Sequence, residues 1–215
     1  LSHSVGPYKV SALAIAQRQL RAVDQLDTLW PVHRLDHETS GVLLMARSLD
    51  SQRRTKTIFK QRQLQKSYLV LVRGHLSNDI PIIDAPIARD KASDFPNIKM
   101  AINSSGSSAQ TQIQVLHYFG NKDFGLAGKG YTWIKATPIT GRSHQIRLHL
   151  AHLGHPVVGD KLYCDEGLAF RRRWHGELDI TDLRRLEHHR QALHAFCYHL
   201  KHPVTGIGLN IISPL

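Results

Sequence analysis

With 215 residues, 41% of them hydrophobic and 21% charged, the chain has the size and composition of one large globular domain, or of two subdomains sharing a sheet. No apolar run approaches the roughly 18 residues of a membrane-spanning helix, and Cys164 and Cys197 show neither CxxC spacing nor a disulfide framework, which fits a reducing cytoplasm. Lys and Arg number 28 against 17 Asp and Glu, a net charge of +11 before any of the 15 histidines protonates, so the expected partner is a polyanion, nucleic acid first.

The opening Leu1-Ser2-His3-Ser4-Val5-Gly6-Pro7 has neither a signal peptide's apolar core nor a transit peptide's arginines. Ser11 to Leu26 places Leu13, Ile15, Ala16, Leu20, Val23 and Leu26 at mostly helical spacing and predicts an amphipathic helix. Between Pro31 and Gly41 the chain is polar and charged, and Val42 to Ala46 then reads as a buried strand, so one carboxylate, Asp36, sits in a loop pinned to core structure. Ser48 or Asp50 can cap a second helix running to about Leu64. From Ser51 to Gly74 there are seven basic residues (Arg53, Arg54, Lys56, Lys60, Arg62, Lys66 and Arg73) and no acidic one, which suits a phosphate-contacting face as well as a merely soluble one.

Lys66 to Gly74 predicts a central strand, and Ile83 to Ala88, interrupted by Pro86, a short edge piece followed by a loop from Asp90 to Asn97. Lys99 to Ile102 and Ala109 to Phe119 read as a hairpin joined through Asn103 to Ser108. A glycine-rich loop, Gly120 to Gly130, leads into a strand at Tyr131 to Thr137 and shows no phosphate-binding glycine pattern. Ser143 is the expected N-cap of a helix that Gly154 and Pro156 stop, with a polar loop from Thr140 suited, with Arg142, to an anion, and with Arg147 off the apolar stripe. Residues 165–189 form a polar excursion with one or two short helices, after which Gln191 to Tyr198 and Gly208 to Ile212 return as strands around a turn at His202 to Gly206. Strict βαβ alternation is missing, so the fold class is α+β, a largely antiparallel sheet flanked by helices.

Familiar chemistries find little support. His149 and His152 share a helical face, but the HExxH spacing, a cysteine partner and a second-shell carboxylate are all missing, so no metal is expected. His37-Glu38-Thr39 is half of a paired phosphoesterase motif without its other half, and there is no GxSxG. Taken alone, Arg34 and Asp36 would be an ordinary ion pair in a turn. A free aspartate is already ionised at neutral pH and, as a nucleophile, needs orientation more than activation.

Four stretches in order change that reading: His33-Arg34-Leu35-Asp36 with Thr39-Ser40-Gly41; Lys66-Ser67-Tyr68; Thr140-Gly141-Arg142-Ser143-His144-Gln145-Ile146-Arg147 with Gly154-His155-Pro156 and Gly159-Asp160; and Leu193-His194-Ala195 with His202-Pro203. Together they resemble the successive motifs of the RluA family of RNA pseudouridine synthases, over about Pro31 to Pro214. The resemblance implies a single catalytic domain over residues 1–215 with the pseudouridine synthase fold and a central catalytic cleft. The implied activity is an isomerase converting uridine to pseudouridine in rRNA or tRNA, at a loop uridine, without metal or cofactor. It implies Asp36 as the catalytic aspartate, Tyr68 stacking on the target uracil, Arg147 pairing with Asp36, Arg34 filling the space left by the flipped uridine, and Leu193 as an apolar wall of the uracil pocket. Arg53, Arg54, Lys56 and Arg142 are the candidate phosphate contacts. A cytoplasmic monomer with no membrane and no protein partner is expected.

Two departures accompany the resemblance. The family's first strand and KPxG turn are missing before Leu1, so the numbering is expected to begin inside a longer chain, and no S4-type RNA-binding domain precedes the motifs in this sequence, which puts specificity on the catalytic domain itself or on a part outside this sequence. The alternative, from a different class, is a catalytically inactive RNA-binding or assembly factor on the same fold.

Overall fold

The computed structural model describes residues 11–24, 28–95, 97–120 and 130–215. The opening segment, the end of the helix expected to reach Leu26, Pro96 in the loop after Asp90, and the interior of the glycine-rich loop lie outside the described residues.

The chain divides into two compact units, one formed by residues 1–66 and 195–215 and the other by residues 67–194. In chain order the first unit contains α1 (Ala12–Asp24), β1 (Trp30–Pro31), β2 (Ser40–Gly41), β3 (Met45–Ala46) and α2 (Leu49–Lys60). Strand β4 (Leu64–Arg73) carries the chain into the second unit, which holds β5 (Ile82–Asp84), β6 (Ile87–Arg89), β7 (Met100–Ile102), β8 (Gln110–Phe119), β9 (Tyr131–Pro138), α3 (Gln145–His152), α4 (Leu168–His175) and α5 (Ile180–Leu186). Strand β10 (Leu193–Lys201) returns it to the first, where β11 (Gly208–Ile212) ends the fold.

In the second unit β9 lies between β4 and β8, β5 pairs with the far edge of β8, and every one of these pairings is antiparallel. Alternation along β4 buries Val70 and Val72, which join Ile134 and Ala136 of β9 and Ile146 and Leu150 of α3 in one apolar cluster. Helix α3 is therefore fixed by its stripe of Ile146 and Leu150 against the sheet, as its spacing predicts. The expected excursion after Asp165 does contain two short helices; α5 is closed by a reciprocal cap between Asp179 and Asp182. It is less of a surface feature than its polarity suggests, because Ala169 and Leu186 are buried with Cys164.

In the first unit β10 and β11 pair antiparallel from Cys197↔Ile212 to Lys201↔Gly208, and β2 pairs with β10. Ser11 starts α1 by accepting the Ala14 N–H at 3.1 Å. Ser48 caps α2 by accepting the Ser51 N–H at 3.2 Å.

Four boundaries differ from expectation. The second helix stops at Lys60 instead of Leu64, because Arg62 turns into the left-handed region (φ 57) and Leu64 already begins β4. The edge piece from Ile83 to Ala88 is two strands with different partners, separated at Ala85-Pro86. The hairpin expected between Lys99 and Phe119 does not form: β7 pairs with β6, while β8 pairs with β5 and β9. The Asn103 to Ser108 turn is real, since Gly106 N–H donates to Asn103 C=O at 2.8 Å, but it folds back onto Ile87, whose N–H and C=O both bond Ser107 at 2.9 Å. Finally, only Met45–Ala46 of the strand expected from Val42 is a strand, for a reason that lies in the candidate site.

Candidate active site

In the first unit, Asp36 rides on a loop of residues 32–44 whose stem is the antiparallel pair of β1 and β3, in register Trp30↔Ala46 and Pro31↔Met45. Val32 and Val42 are buried at its two ends. Gln52 of α2 donates from Nε2 to the Pro31 carbonyl at 2.8 Å, so the helix holds the stem. Within the loop, Thr39 N–H donates to Asp36 C=O at 3.1 Å, closing a turn that opens with Asp36. Past the turn, Val42 N–H donates to Ala195 C=O of β10 at 2.9 Å. Gly41 lies at φ +106, and a Cβ there would collide with the Ala195 carbonyl oxygen, so only glycine fits. The donors at 42 and 44 are thus spent on β10 and on the His33 side chain, which accepts the Leu44 N–H at Nε2 (2.9 Å), and no ladder extends through Val42 to Leu44. Arg34 is exposed and Asp36 half-buried.

His33 is itself packed. Its ring stacks on Phe59 of α2 with centroids 4.9 Å apart and planes 15° apart, and lies 5.2 Å from the Tyr198 ring of β10. Burial pushes its pKa down to about 4, with Lys66 adding in the same direction against an opposing backbone hydrogen bond to Arg34. Lys66 Nζ stands 5.8 Å over the Phe59 ring, and burial holds its ammonium below the usual lysine range.

In the second unit, Tyr68 lies in β4 opposite Ala136 and is partly buried against the apolar cluster, to which buried Leu193 also belongs. Arg147 projects from α3 and is buried, at 8% exposure. Its Nε and Nη2 donate to the two oxygens of Asp160 at 2.6 and 2.8 Å, and its guanidinium stands 5.1 Å over the Tyr163 ring. Asp160 is fully buried and also accepts the Leu162 and Tyr163 N–H groups at 2.9 and 3.1 Å. Burial pushes its carboxyl up, but the Arg147 charge and these hydrogen bonds outweigh that and hold it below the usual carboxylate range.

The expected cap of α3 is replaced by another device. His144, not Ser143, occupies the N-cap, in the left-handed region (φ 56), and makes no side-chain cap bond. Gln145 reaches back instead: its Oε1 accepts Thr140 Oγ1–H at 2.7 Å and Arg142 N–H at 3.0 Å, while its Nε2 donates to Gln110 C=O at 2.8 Å. One backbone donor of the supposed anion loop is therefore already used, and the exposed Arg142 donates from Nε to Ser108 C=O at 3.0 Å.

Arg53, Arg54 and Lys56 are exposed on α2, although Arg54 is paired with Asp50 at 2.7 Å. His149 is fully buried, with Nδ1 2.9 Å from Thr111 Oγ1 and Nε2 3.0 Å from Ala85 C=O, so both ring nitrogens are engaged in packing and neither serves as a ligand. The residue that sequence reasoning passed over is Asp160, noted only as part of a motif. Its signal was a lone carboxylate between Val157-Val158 and Leu162, which demands a buried cationic partner.

Comparison with known proteins fits this arrangement. A family profile described as RNA pseudouridylate synthase matches residues 3–152. The chain belongs to that family. The matched span contains Arg34, Asp36, Tyr68 and Arg147, while Asp160 and Leu193 lie beyond it. The chain is 36% identical over 162 residues to the dual-specificity RNA pseudouridine synthase RluA of Yersinia pestis, covering 73% of each chain. It is 32% identical over 200 residues to the ribosomal large subunit pseudouridine synthase C of Pasteurella multocida, covering 90% of this chain and 55% of that one. It spans about half the length of such large-subunit synthases. Among solved structures, human RNA Pseudouridylate Synthase Domain Containing 1 matches with a TM-score of 0.70 at 28% identity, over 93% of this chain and 74% of that one. This agrees with the α+β fold expected from the motifs.

Proposed function

We propose that the chain is the catalytic part of an RNA pseudouridine synthase, with Asp36 as its essential carboxylate. The observation that carries this reading is the place of Asp36 in a family member: on a loop whose stem, turn and far end are each fixed by hydrogen bonds. In the reaction the N1–C1′ bond of a uridine breaks, the base turns, C5 bonds to C1′, the C5 hydrogen leaves as a proton and N1 takes one up. Product and substrate are isomers, so no co-reactant is consumed.

The remaining roles follow the family motifs. C1′ of a stacked uridine is shielded, so the nucleotide must leave its stack, at a cost of a few kcal/mol that stacking on Tyr68 and filling by Arg34 offset. Arg147 supplies the site's guanidinium, and Leu193 an apolar wall for the uracil. Exposed Arg53, Arg54, Lys56 and Arg142 meet phosphates. The named relatives point to ribosomal RNA of the large subunit as the first substrate to try and tRNA as the second, with a loop uridine as target because unstacked bases are cheaper to extract. Cytoplasmic residence and action as a monomer go with this reading.

The test is to incubate large-subunit rRNA and tRNA transcripts with the protein and map pseudouridines by carbodiimide adducts and primer extension. New stops with the wild-type protein and none with Asp36→Asn are expected. RNA bound but left unmodified would instead favour the inactive binding factor.

A further inference from the structure

The Asp36 loop needs something to close its mouth. The β1–β3 ladder ends at Pro31↔Met45, and Pro31 has no N–H to offer a partner strand. The next donor on the far side, Leu44 N–H, lies beyond the last rung, and a buried unpaired N–H would cost about 1–3 kcal/mol. His33 meets it with Nε2 at 2.9 Å, across the whole loop.

The ring that does this has no freedom to wander, being stacked on Phe59 of α2 and packed beside Tyr198 of β10. Accepting at Nε2 places the ring proton on Nδ1, the nitrogen left for the backbone hydrogen bond to Arg34. One imidazole thus ties residues 33 and 34 to residue 44, and Asp36 lies between those ties.

We infer that His33, as the neutral Nδ1–H tautomer, is a positioning residue that clasps the loop and so aims the Asp36 carboxylate for the isomerisation. This rests on the function proposed above. The clasp works only uncharged, since an imidazolium has two donors and nothing with which to accept the Leu44 N–H. Burial beneath Phe59 and the nearby Lys66 both disfavour that charged form. The clasp contributes chiefly to turnover, because Arg34, the one residue assigned to RNA contact among its partners, is held by its backbone and not by its guanidinium.

Two variants separate the clasp from simple packing. His33→Phe keeps a flat ring between Phe59 and Tyr198 but removes the acceptor, whereas His33→Gln restores an acceptor at the reach of Nε2 without the ring. For His33→Phe, kcat falls about 10- to 100-fold, the size of effect a misplacement of order 1 Å produces. KM for RNA stays within about twofold, as expected when an interaction specific to the transition state is lost. His33→Gln recovers most of the lost kcat. In the same proteins without RNA, exchange of the Leu44 amide hydrogen, read by NMR, speeds up in His33→Phe and slows again in His33→Gln. Unchanged kcat in His33→Phe overturns the inference, and so does a loss of kcat that His33→Gln fails to recover. Failure of the enzymatic reading looks different: wild-type protein releases no product, and Leu44 exchange still reports whether the clasp exists.

Discussion

The hydrogen bonds that anchor the loop of residues 32–44 grip its backbone, at Pro31 C=O, Val42 N–H and Leu44 N–H, whereas those around α3 grip a side chain, the Nε–Nη2 edge of Arg147 being taken by the two oxygens of Asp160. The first arrangement fixes where residue 36 stands through the backbone on either side of it. In the second, the charge is part of the fold, because a buried guanidinium without its carboxylate is costly. A change of side chain at 36 leaves those backbone anchors in place, whereas removing Arg147 or Asp160 alone strands a buried charge.

The sharpest way to break this contrast is Asp160→Ala. It strands the Arg147 charge and is expected to destabilise the protein by about 3–5 kcal/mol in urea unfolding, while the paired replacement Arg147→Met with Asp160→Leu costs far less. If the single variant is as stable as wild type, the pair is not structural. Acid titration of stability comes next. The folded pKa of His33 is about 4 against an ordinary 6.5, so the unfolded chain binds the extra proton between these values. The contribution is fully present above about pH 6.5 and is lost as pH falls toward 4, on the order of 3 kcal/mol in all. In His33→Phe that part of the acid slope disappears; buried His149, whose pKa is also pushed down by burial, adds a slope of the same sign to both proteins and cancels in the difference.

Gly41→Ala forces a Cβ against Ala195 in the left-handed region and is expected to cost about 1–3 kcal/mol, together with most of the activity, as measured by melting and turnover in parallel. The smallest effect belongs to the exposed face of α2. Arg54→Ala changes stability by less than about 0.5 kcal/mol despite its ion pair with Asp50. Replacing Arg53, Arg54 and Lys56 together lowers the slope of log affinity for RNA against log salt by about 2, and an unaltered slope returns this helix to an ordinary solvated surface.

Elements with strong local signals were legible in the sequence. The Ser48 cap, the run of Lys66 to Gly74 and the stripe of Ile146 and Leu150 each gave an element close to its observed place. What failed was decided by partners distant in sequence. The Asn103 turn could be read locally, but that β7 would choose β6 over β8 could not. Strand pairing from Val42 was lost to an imidazole acceptor at His33 and to Ala195, neither visible in an alternating pattern. The N-cap of α3 was misread because Gln145, inside the helix, reaches back to the residues before it. The motifs named Asp36, Tyr68 and Arg147 in roles, but Asp160 carries no periodicity, and its one signal, a carboxylate set among Val157, Val158 and Leu162, becomes a demand for a cationic partner only once its burial is known.

The measurement that tests the account most directly is tritium release from RNA labelled at uracil C5, run on wild-type protein and Asp36→Asn beside their urea unfolding curves. Wild type is expected to release tritium, and Asp36→Asn to release none above background while remaining within about 1 kcal/mol of wild-type stability, since the anchors at Pro31 C=O, Val42 N–H and Leu44 N–H do not involve the side chain at 36. Equal release by both proteins, or an Asp36→Asn variant that loses activity only because it unfolds, would contradict a catalytic carboxylate on an independently anchored loop.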